Sequence, residues 1–311
     1  MEYRKLGSSD LKVSTVGLGT WAIGGDMYGK VSDSLSIATI KRAVEEGINL
    51  IDTAPAYGAG HAEKVVGNAI QGIRDKVILA TKCGTYKEEG NFYRDLTPER
   101  IRKQLEKSLA SLGVETIDLY QIHWPDPDTP LQESVKELVK LKEEGKFRYL
   151  GVSNFDTGLM EEISSMTEIV SLQPQYSILN RDIEENILPY TLSNRIGILA
   201  YGPLGGGILT GKYRNEPPSD KRGEFYPYFQ EPQWSRVQKL VTLLEKIAEN
   251  HNRPIANVAI NWVKQQEGIT SVLVGCKTPE QAAENAKAGD WNLSQEEIAE
   301  INRAYENIFR G

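Results

Sequence analysis

Val77-Ile-Leu-Ala80 and Ile117-Asp-Leu-Tyr-Gln-Ile122 bracket a segment that opens on Thr97-Pro98 and then places Ile101, Leu105, Leu109 and Leu112 at helical spacing. The flanking runs are mostly continuous and apolar, the pattern of strands covered on both faces rather than one. Threonine ahead of a first-turn proline is a helix start, and the four spaced residues form the stripe that the helix buries. Strand, helix, strand is the repeating unit of a parallel sheet.

Outward from this unit the pattern recurs. Further runs stand at Val16–Gly19, Ile48–Ile51, Phe147–Val152, Ile169–Leu172, Ile196–Leu199 and Ile269–Val274, which makes eight with the two above. Thr278-Pro-Glu-Gln281 and Ser294-Gln-Glu-Glu297 fit the capping box at later helix starts. No low-complexity stretch or Pro/Gly/Ser linker divides the chain. Eight units in one undivided chain predict an α/β fold, a (β/α)8 TIM barrel, as a single domain over residues 1–311. Two segments lie outside the pattern. Tyr3–Leu6 and Leu11–Val16, joined by Gly7-Ser-Ser-Asp10, read as a β-hairpin closing the barrel floor. Tyr213–Trp234 is rich in proline, aromatics and charge without helical period, and a loop of that length is expected to serve function, as a lid.

Composition narrows the class. A formal net charge of -7 argues against a nucleic-acid partner. No apolar window of membrane-spanning length occurs, and Met1-Glu-Tyr-Arg-Lys5 leads into no signal-peptide core. Cys83 and Cys276, the two cysteines, are too few for a disulfide framework. The expectation is a cytoplasmic enzyme with a small-molecule substrate. The histidines, at 61, 123 and 251, share no metal-ligand spacing, so no metal is assigned.

Two glycine-rich stretches resemble nucleotide loops and fail on context. Gly17-Leu-Gly19-Thr-Trp-Ala22 matches the dinucleotide fingerprint, but turn residues follow where a helix is needed. Gly202-Pro-Leu-Gly205-Gly-Gly207 has the spacing of neither a Rossmann turn nor a Walker loop.

In such a barrel, chemistry sits at the carboxyl ends of the strands. Just past the second, third and fourth runs stand Asp52, Lys82 and His123, with Tyr57 in the loop after Asp52. Singly, each has a plain structural reading: a turn cap, a surface lysine, a core histidine and a rim aromatic.

Together, Ile51-Asp-Thr-Ala54 with Tyr57-Gly58, Ala80-Thr-Lys82, Gln121-Ile-His123, Gly17-Leu-Gly-Thr20 and Gly151-Val-Ser-Asn-Phe155 resemble the aldo-keto reductase family across nearly the whole chain. The resemblance implies the catalytic set Asp52, Tyr57, Lys82 and His123, reducing carbonyls with NADP(H). Lys82 would lower the pKa of Tyr57 toward a useful acid, and Asp52 would hold Lys82 charged. His123 would polarise the carbonyl oxygen. Cys83, of opposite strand parity to Lys82, would pack outside the barrel.

For the cofactor, the resemblance implies Ser153, Asn154 and Gln173 on the carboxamide and Tyr201 on the ring. It also implies Gly19, Thr20, Trp21 and Asp52 in the cofactor site. Gly202, Pro203, Leu204, Gly205, Gly206 and Lys212 would follow the pyrophosphate. Gly275, Lys277, Gln281, Glu284 and Asn285 would take the adenosine and its 2′-phosphate, with Arg222 closing over it. Gln281 stands where the commonest family pattern has arginine. That departure is closer to the branch of bacterial general stress reductases and potassium-channel β subunits. The alternative is therefore a cofactor-sensing binding subunit. That branch replaces the histidine that this chain keeps at 123, which favours an enzyme; an unrelated barrel hydrolase or isomerase would leave the nicotinamide-site residues unexplained. Specificity is expected from the loops Trp124–Thr129 and Tyr213–Trp234.

Overall fold

The computed structural model describes residues 1–29, 31–89 and 91–310. Its strands run β1 (Tyr3–Lys5), β2 (Lys12–Ser14), β3 (Val16–Gly19), β4 (Leu50–Asp52), β5 (Ile78–Cys83), β6 (Thr85–Glu88), β7 (Asn91–Arg94), β8 (Ile117–Ile122), β9 (Phe147–Ser153), β10 (Ser171–Gln173), β11 (Gly197–Tyr201) and β12 (Ile269–Gly275). Eight of them, all parallel, close into a barrel in the order β3-β4-β5-β8-β9-β10-β11-β12 and back to β3. The fold is the (β/α)8 barrel that the repeating units imply. The longer helices between and after the strands are α1 (Asp33–Glu45), α2 (His61–Ile70), α3 (Pro98–Leu112), α4 (Leu131–Glu143), α5 (Thr157–Ser164), α6 (Ile187–Ser193), α7 (Arg222–Phe225), α8 (Gln233–Asn250), α9 (Ile255–Lys264), α10 (Pro279–Ala286) and α11 (Gln295–Tyr305).

Strand parity sorts the core into two layers. Leu50, Ala80, Leu119, Leu199 and Leu273 meet inside the barrel, and Leu6, Leu11 and Val13 of the β1–β2 hairpin pack up against them. The hairpin is thus the barrel floor. Gly7 makes its close approach feasible: its φ is 52°, and a Cβ there would run into the carbonyl of Val170. Side chains of the other parity, such as Ile51, Leu79, Tyr120, Val152 and Leu172, pack outward beneath the helices. Cys83 belongs to that outer core, where burial pushes its thiol up to about 12. Two residues beyond the inner apolar layer, on the same strands and with the same parity, come Asp52, Lys82, Gln121 and Tyr201. The period of the strands therefore carries polar groups onto the rim of an apolar plug.

Several local expectations change. β4 and β5 continue through Asp52 and Lys82, because pairing persists at Gly19–Asp52 and Lys82–Gln121; these residues lie in the strands rather than beyond them. The β6–β7 hairpin has no counterpart in the sequence reading. Thr97 does not cap α3 with its side chain; its hydroxyl donates to Asp95 instead. Ser294 and Glu297 do form the reciprocal capping box. At α10 only half of one forms: Gln281 N–H donates to Thr278 Oγ1, while Gln281 Oε1 accepts from Lys277 N rather than from Thr278 N. Residues 213–234 are not uniformly irregular, since they include α7, a 3-10 turn at Pro227–Phe229 and the first two residues of α8. Among the described residues no helix is long and apolar enough to cross a membrane, and no group of three or more His, Cys, Asp or Glu could hold a metal ion.

Candidate active site

Lys82 is fully buried, and its ammonium has three acceptors. It donates to Asp52 Oδ2 at 2.6 Å, to the Thr53 carbonyl at 3.0 Å and to the Tyr57 hydroxyl at 3.1 Å. Burial pulls the Lys82 pKa down and Asp52 opposes that pull. The other carboxylate oxygen is also claimed. Asp52 Oδ1 accepts from Gln173 Nε2 at 2.8 Å and from Gln121 Nε2 at 3.2 Å, and the Gln173 amide donates again to Gln121 Oε1 at 3.2 Å. Donors thus meet both oxygens of the Asp52 carboxylate, which lies directly beside the Lys82 ammonium. Gly151 makes room for this cluster, since a Cβ there would stand 3.1 Å from Gln121 Cγ.

Tyr57 sits on a tight turn after β4, packed so closely on another loop that a Cβ on Gly24 would lie 2.8 Å from Gly58 N. Trp21 stacks on the Tyr57 ring at 6.1 Å between centroids, and His123 meets it edge-on at 5.9 Å. The phenol pKa lies well above the ordinary value, mainly through burial and then through Asp52, Asp26 and Tyr226. Burial thus outweighs the help of Lys82, and the net shift is upward where a lowered value was expected. Tyr57 is a protonated phenol at rest, with the ammonium donating to its oxygen and its own proton free to point elsewhere.

His123 follows β8 directly. Its backbone N–H donates to the Cys83 carbonyl and its carbonyl accepts from Asn154 Nδ2, both at 3.0 Å. Burial and the Lys82 charge hold the imidazole well below its usual pKa, so it is neutral at pH 7. Its buried Nδ1 has no partner among the described residues.

Asp52, Tyr57 and His123 open onto one cavity of about 960 Å³, and Lys82 lies behind its wall. Gly19, Thr20, Trp21, Ser153, Asn154, Gln173, Tyr201, Gly202, Pro203, Leu204, Gly206, Lys212, Arg222, Gly275, Lys277, Gln281, Glu284 and Asn285 line it as well. Gly205 does not; it is buried, with a Cβ position facing Leu179 and Ile208. Asn154 has φ 59°, an uncommon conformation for a residue with a side chain, and both of its amide N–H groups are engaged, while Oδ1 keeps one acceptor site. Nδ2 donates to His123 O and Ser153 Oγ, and Oδ1 accepts from Tyr201 Oη, all at 3.0 Å. Gln173 differs. Both its N–H groups are turned to Asp52 and Gln121, which leaves Oε1 as its group for the cavity, an acceptor suited to a carboxamide N–H.

At the far end the cavity is cationic. Gly206 and Gly207 have φ 71° and 104°, and a Cβ on either would meet the Tyr226 ring or the Arg222 guanidinium. Both positions need glycine, for the left-handed backbone and for these close side chains. Arg222 is held by Asp220, the Gly206 carbonyl and the Tyr213 hydroxyl, and Lys277 Nζ donates to the Tyr28 carbonyl across the mouth. With Lys212 nearby, amides at one end and cations and glycines at the other fit a nicotinamide dinucleotide.

Sequence reading missed several of these residues. Gln121 carried a signal: it is the polar side chain at an inward position of an otherwise apolar barrel strand. Phe92 and Arg94 on β7, Gln175, Phe225 and Tyr226 also line the cavity. Phe92 and Arg94 lie on a hairpin that has no apolar alternation to announce it.

The profile of the Aldo/keto reductase family matches residues 15–306. The NADH-specific methylglyoxal reductase of Escherichia coli is 35% identical, over 98% of this chain and 98% of its own length. Among solved structures, the glycerol dehydrogenase of Gluconobacter oxydans superposes with TM-score 0.92 at 39% identity, covering 100% of this chain and 97% of that one. An aldo/keto reductase from Klebsiella pneumoniae in complex with NADP and acetate gives TM-score 0.76 at 28% identity, covering 98% and 96%.

Proposed function

Since the chain belongs to the aldo/keto reductase family and is an oxidoreductase, we propose that it reduces aldehydes and ketones to alcohols with NADPH, Tyr57 serving as the proton donor. The observation that carries this reading is the Lys82 ammonium placed between Asp52 and the Tyr57 hydroxyl, in the wall of a cavity that His123 also faces. Bound NADPH supplies the hydride. The protein's own task is to hold the carbonyl oxygen and to give it a proton as negative charge develops there.

Neutral His123 donates to that oxygen and polarises it without drawing off the proton that Tyr57 supplies. Tyr57 then releases its hydroxyl proton to the same oxygen. A tyrosine pushed upward by burial is a poor acid in isolation, so the phenolate left behind must be stabilised as it forms. Lys82 does this, because its N–H is already aimed at the phenol oxygen and the bond strengthens as charge arrives. A high resting pKa is thus compatible with a favoured transition state, because only interactions that strengthen during the reaction raise its rate.

Ser153, Asn154 and Gln173 would hold the nicotinamide carboxamide, and Gly202 to Gly207 with Lys212 the pyrophosphate. Lys277, Thr278 and Gln281 at the start of α10 all stand by the cavity mouth, and a 2′-phosphate there would favour NADPH over NADH by drawing the Lys277 ammonium from the Tyr28 carbonyl. The E. coli relative is named an NADH-specific reductase, and side-by-side titration with NADPH and NADH tests the preference proposed for this chain. Tyr57→Phe tests the central claim. It removes the proton and keeps the ring that packs on Trp21, so kcat for a reactive aldehyde should fall at least ~100-fold while NADPH binding holds. Turnover close to wild type would refute the mechanism.

A further inference from the structure

We infer that the site is built for carbonyl substrates bearing a carboxylate, which Arg94 recognises; the inference rests on the carbonyl-reductase reading above. Arg94 ends β7, at the root of the hairpin, where it pairs in register with Thr85 just beyond β5. Both Arg94 and Thr85 line the cavity. The Arg94 guanidinium lies 4.8 Å from the centroid of the Trp124 ring, and Trp124 directly follows His123. A guanidinium stacked on an aromatic face keeps its in-plane N–H groups available.

The surroundings leave this cation uncompensated. Asp26 pairs with Lys87 at 3.2 Å and Asp95 with Arg100 at 3.0 Å. Asp126 accepts from Leu96 N at 2.9 Å and from Thr129 Oγ1 at 2.7 Å. Arg94 has no hydrogen bond or ion pair among the described residues, whereas Lys87 and Arg100 of the same region are both committed.

The hairpin also holds its place. Tyr86 and Tyr93 stack at 5.3 Å, Arg100 lies 4.1 Å above the Tyr86 ring, and Lys87 ties the hairpin to Asp26 of another loop. Trp21 stacks on Tyr57 and meets Phe225, Trp124 carries Arg94, and these aromatic side chains line the same cavity together with Phe92. A planar fork of donors beyond an aromatic surface matches an oxo acid, with the carbonyl at Tyr57, an apolar spacer, and a carboxylate taken bidentately by Arg94.

Para-carboxybenzaldehyde and para-nitrobenzaldehyde have nearly the same planar outline, and only the first is charged. In Arg94→Met the ratio of their kcat/KM values should fall at least ~10-fold toward the nitro compound, with the nitro compound itself within about threefold of wild type. Arg94→Lys, which keeps the charge and loses the fork, should keep part of the ratio. Raising ionic strength should shrink the wild-type ratio.

Calorimetric binding of para-(hydroxymethyl)benzoate, a ligand with no carbonyl to reduce, gives a reading independent of turnover. Its affinity should fall at least ~10-fold in Arg94→Met. An unchanged substrate ratio together with unchanged binding would overturn the assignment. Binding that depends on Arg94 in a protein that does not turn over the nitro compound would sustain the anion site and defeat the reductase reading. Good nitro turnover with binding indifferent to Arg94 would do the reverse.

Discussion

Asp52→Asn is a nearly isosteric change, and the geometry makes it severe. Asparagine offers one oxygen acceptor and one NH2 group with two donors, whereas the site presents donors to both carboxylate oxygens. Lys82 Nζ stands 2.6 Å from one, and Gln173 and Gln121 Nε2 stand 2.8 and 3.2 Å from the other. Whichever way the introduced amide is turned, an N–H must face another donor in a buried place. A buried polar group left unsatisfied costs ~1–3 kcal/mol, and a buried charge deprived of its partner ~3–5 kcal/mol. Lys82 can escape part of this by releasing its proton, so the loss depends on pH. Burial already lowers the Lys82 pKa, and without Asp52 it falls further. The unfolded chain keeps an ordinary lysine near ~10.4, so between the folded and unfolded values it holds more protons and stability rises with pH. That window opens at lower pH in the variant than in wild type. The deficit should therefore be ~3 kcal/mol or more at about pH 6 and should shrink toward about pH 9, by ~1.4 kcal/mol for each unit by which the two lysine values differ. Urea denaturation at about pH 6, 7.5 and 9 reads this directly, with kcat measured alongside, since loss of the ammonium should also slow turnover. A deficit under ~1 kcal/mol, or one equal at every pH, would refute the donor count on which the argument rests.

Gln121→Leu fills the same space but removes one donor to Asp52 and the acceptor that orients the Gln173 amide. NADPH binding, followed by fluorescence titration, should weaken about fivefold or more while stability changes by only ~1 kcal/mol; unchanged affinity would show that Gln173 is oriented by other means. Lys277→Glu should lose ~2 kcal/mol or more of NADPH affinity, through a charge-assisted bond lost and a repulsion gained, with NADH binding little changed. Equal weakening toward both cofactors would mean that Lys277, which donates to the Tyr28 carbonyl in this structure, acts on the loop rather than on a 2′-phosphate.

The barrel is readable because its signal is periodic and local. Each apolar run declares a strand, each stripe such as Ile101 to Leu112 declares a helix, and eight repetitions leave few topologies. The strand-end residues are readable for a related reason. Parity places Asp52 above Leu50 and Lys82 above Ala80, so a polar residue at that step must face the mouth. Hairpin β6–β7 is not readable, since nearly all of its residues meet solvent and no alternation separates two faces. The pKa of Tyr57 is not readable either. The resemblance supplies a neighbouring lysine, but Asp26 and Tyr226 approach from loops that are remote in sequence, and burial outweighs them all.

The orientation of Gln173 shows most clearly why a site exceeds its residue types. An amide is both donor and acceptor, so its presence beside a carboxamide leaves open which end it offers. The choice is made by Gln121, which does not neighbour it in the sheet: β9 runs between β8 and β10, with Gln121 opposite Gly151 and Gln173 opposite Ser153. The two amides meet inside the barrel past Gly151, where a side chain would intrude. Asp52 can only accept, so it takes N–H from both, and the second N–H of Gln173 goes to Gln121 Oε1. The remaining Gln173 oxygen must then face the cavity. The polarity of that part of the proposed cofactor site is thus set by a carboxylate whose other oxygen holds Lys82, so a change at Gln121 should register in cofactor affinity and in the pH dependence of turnover together.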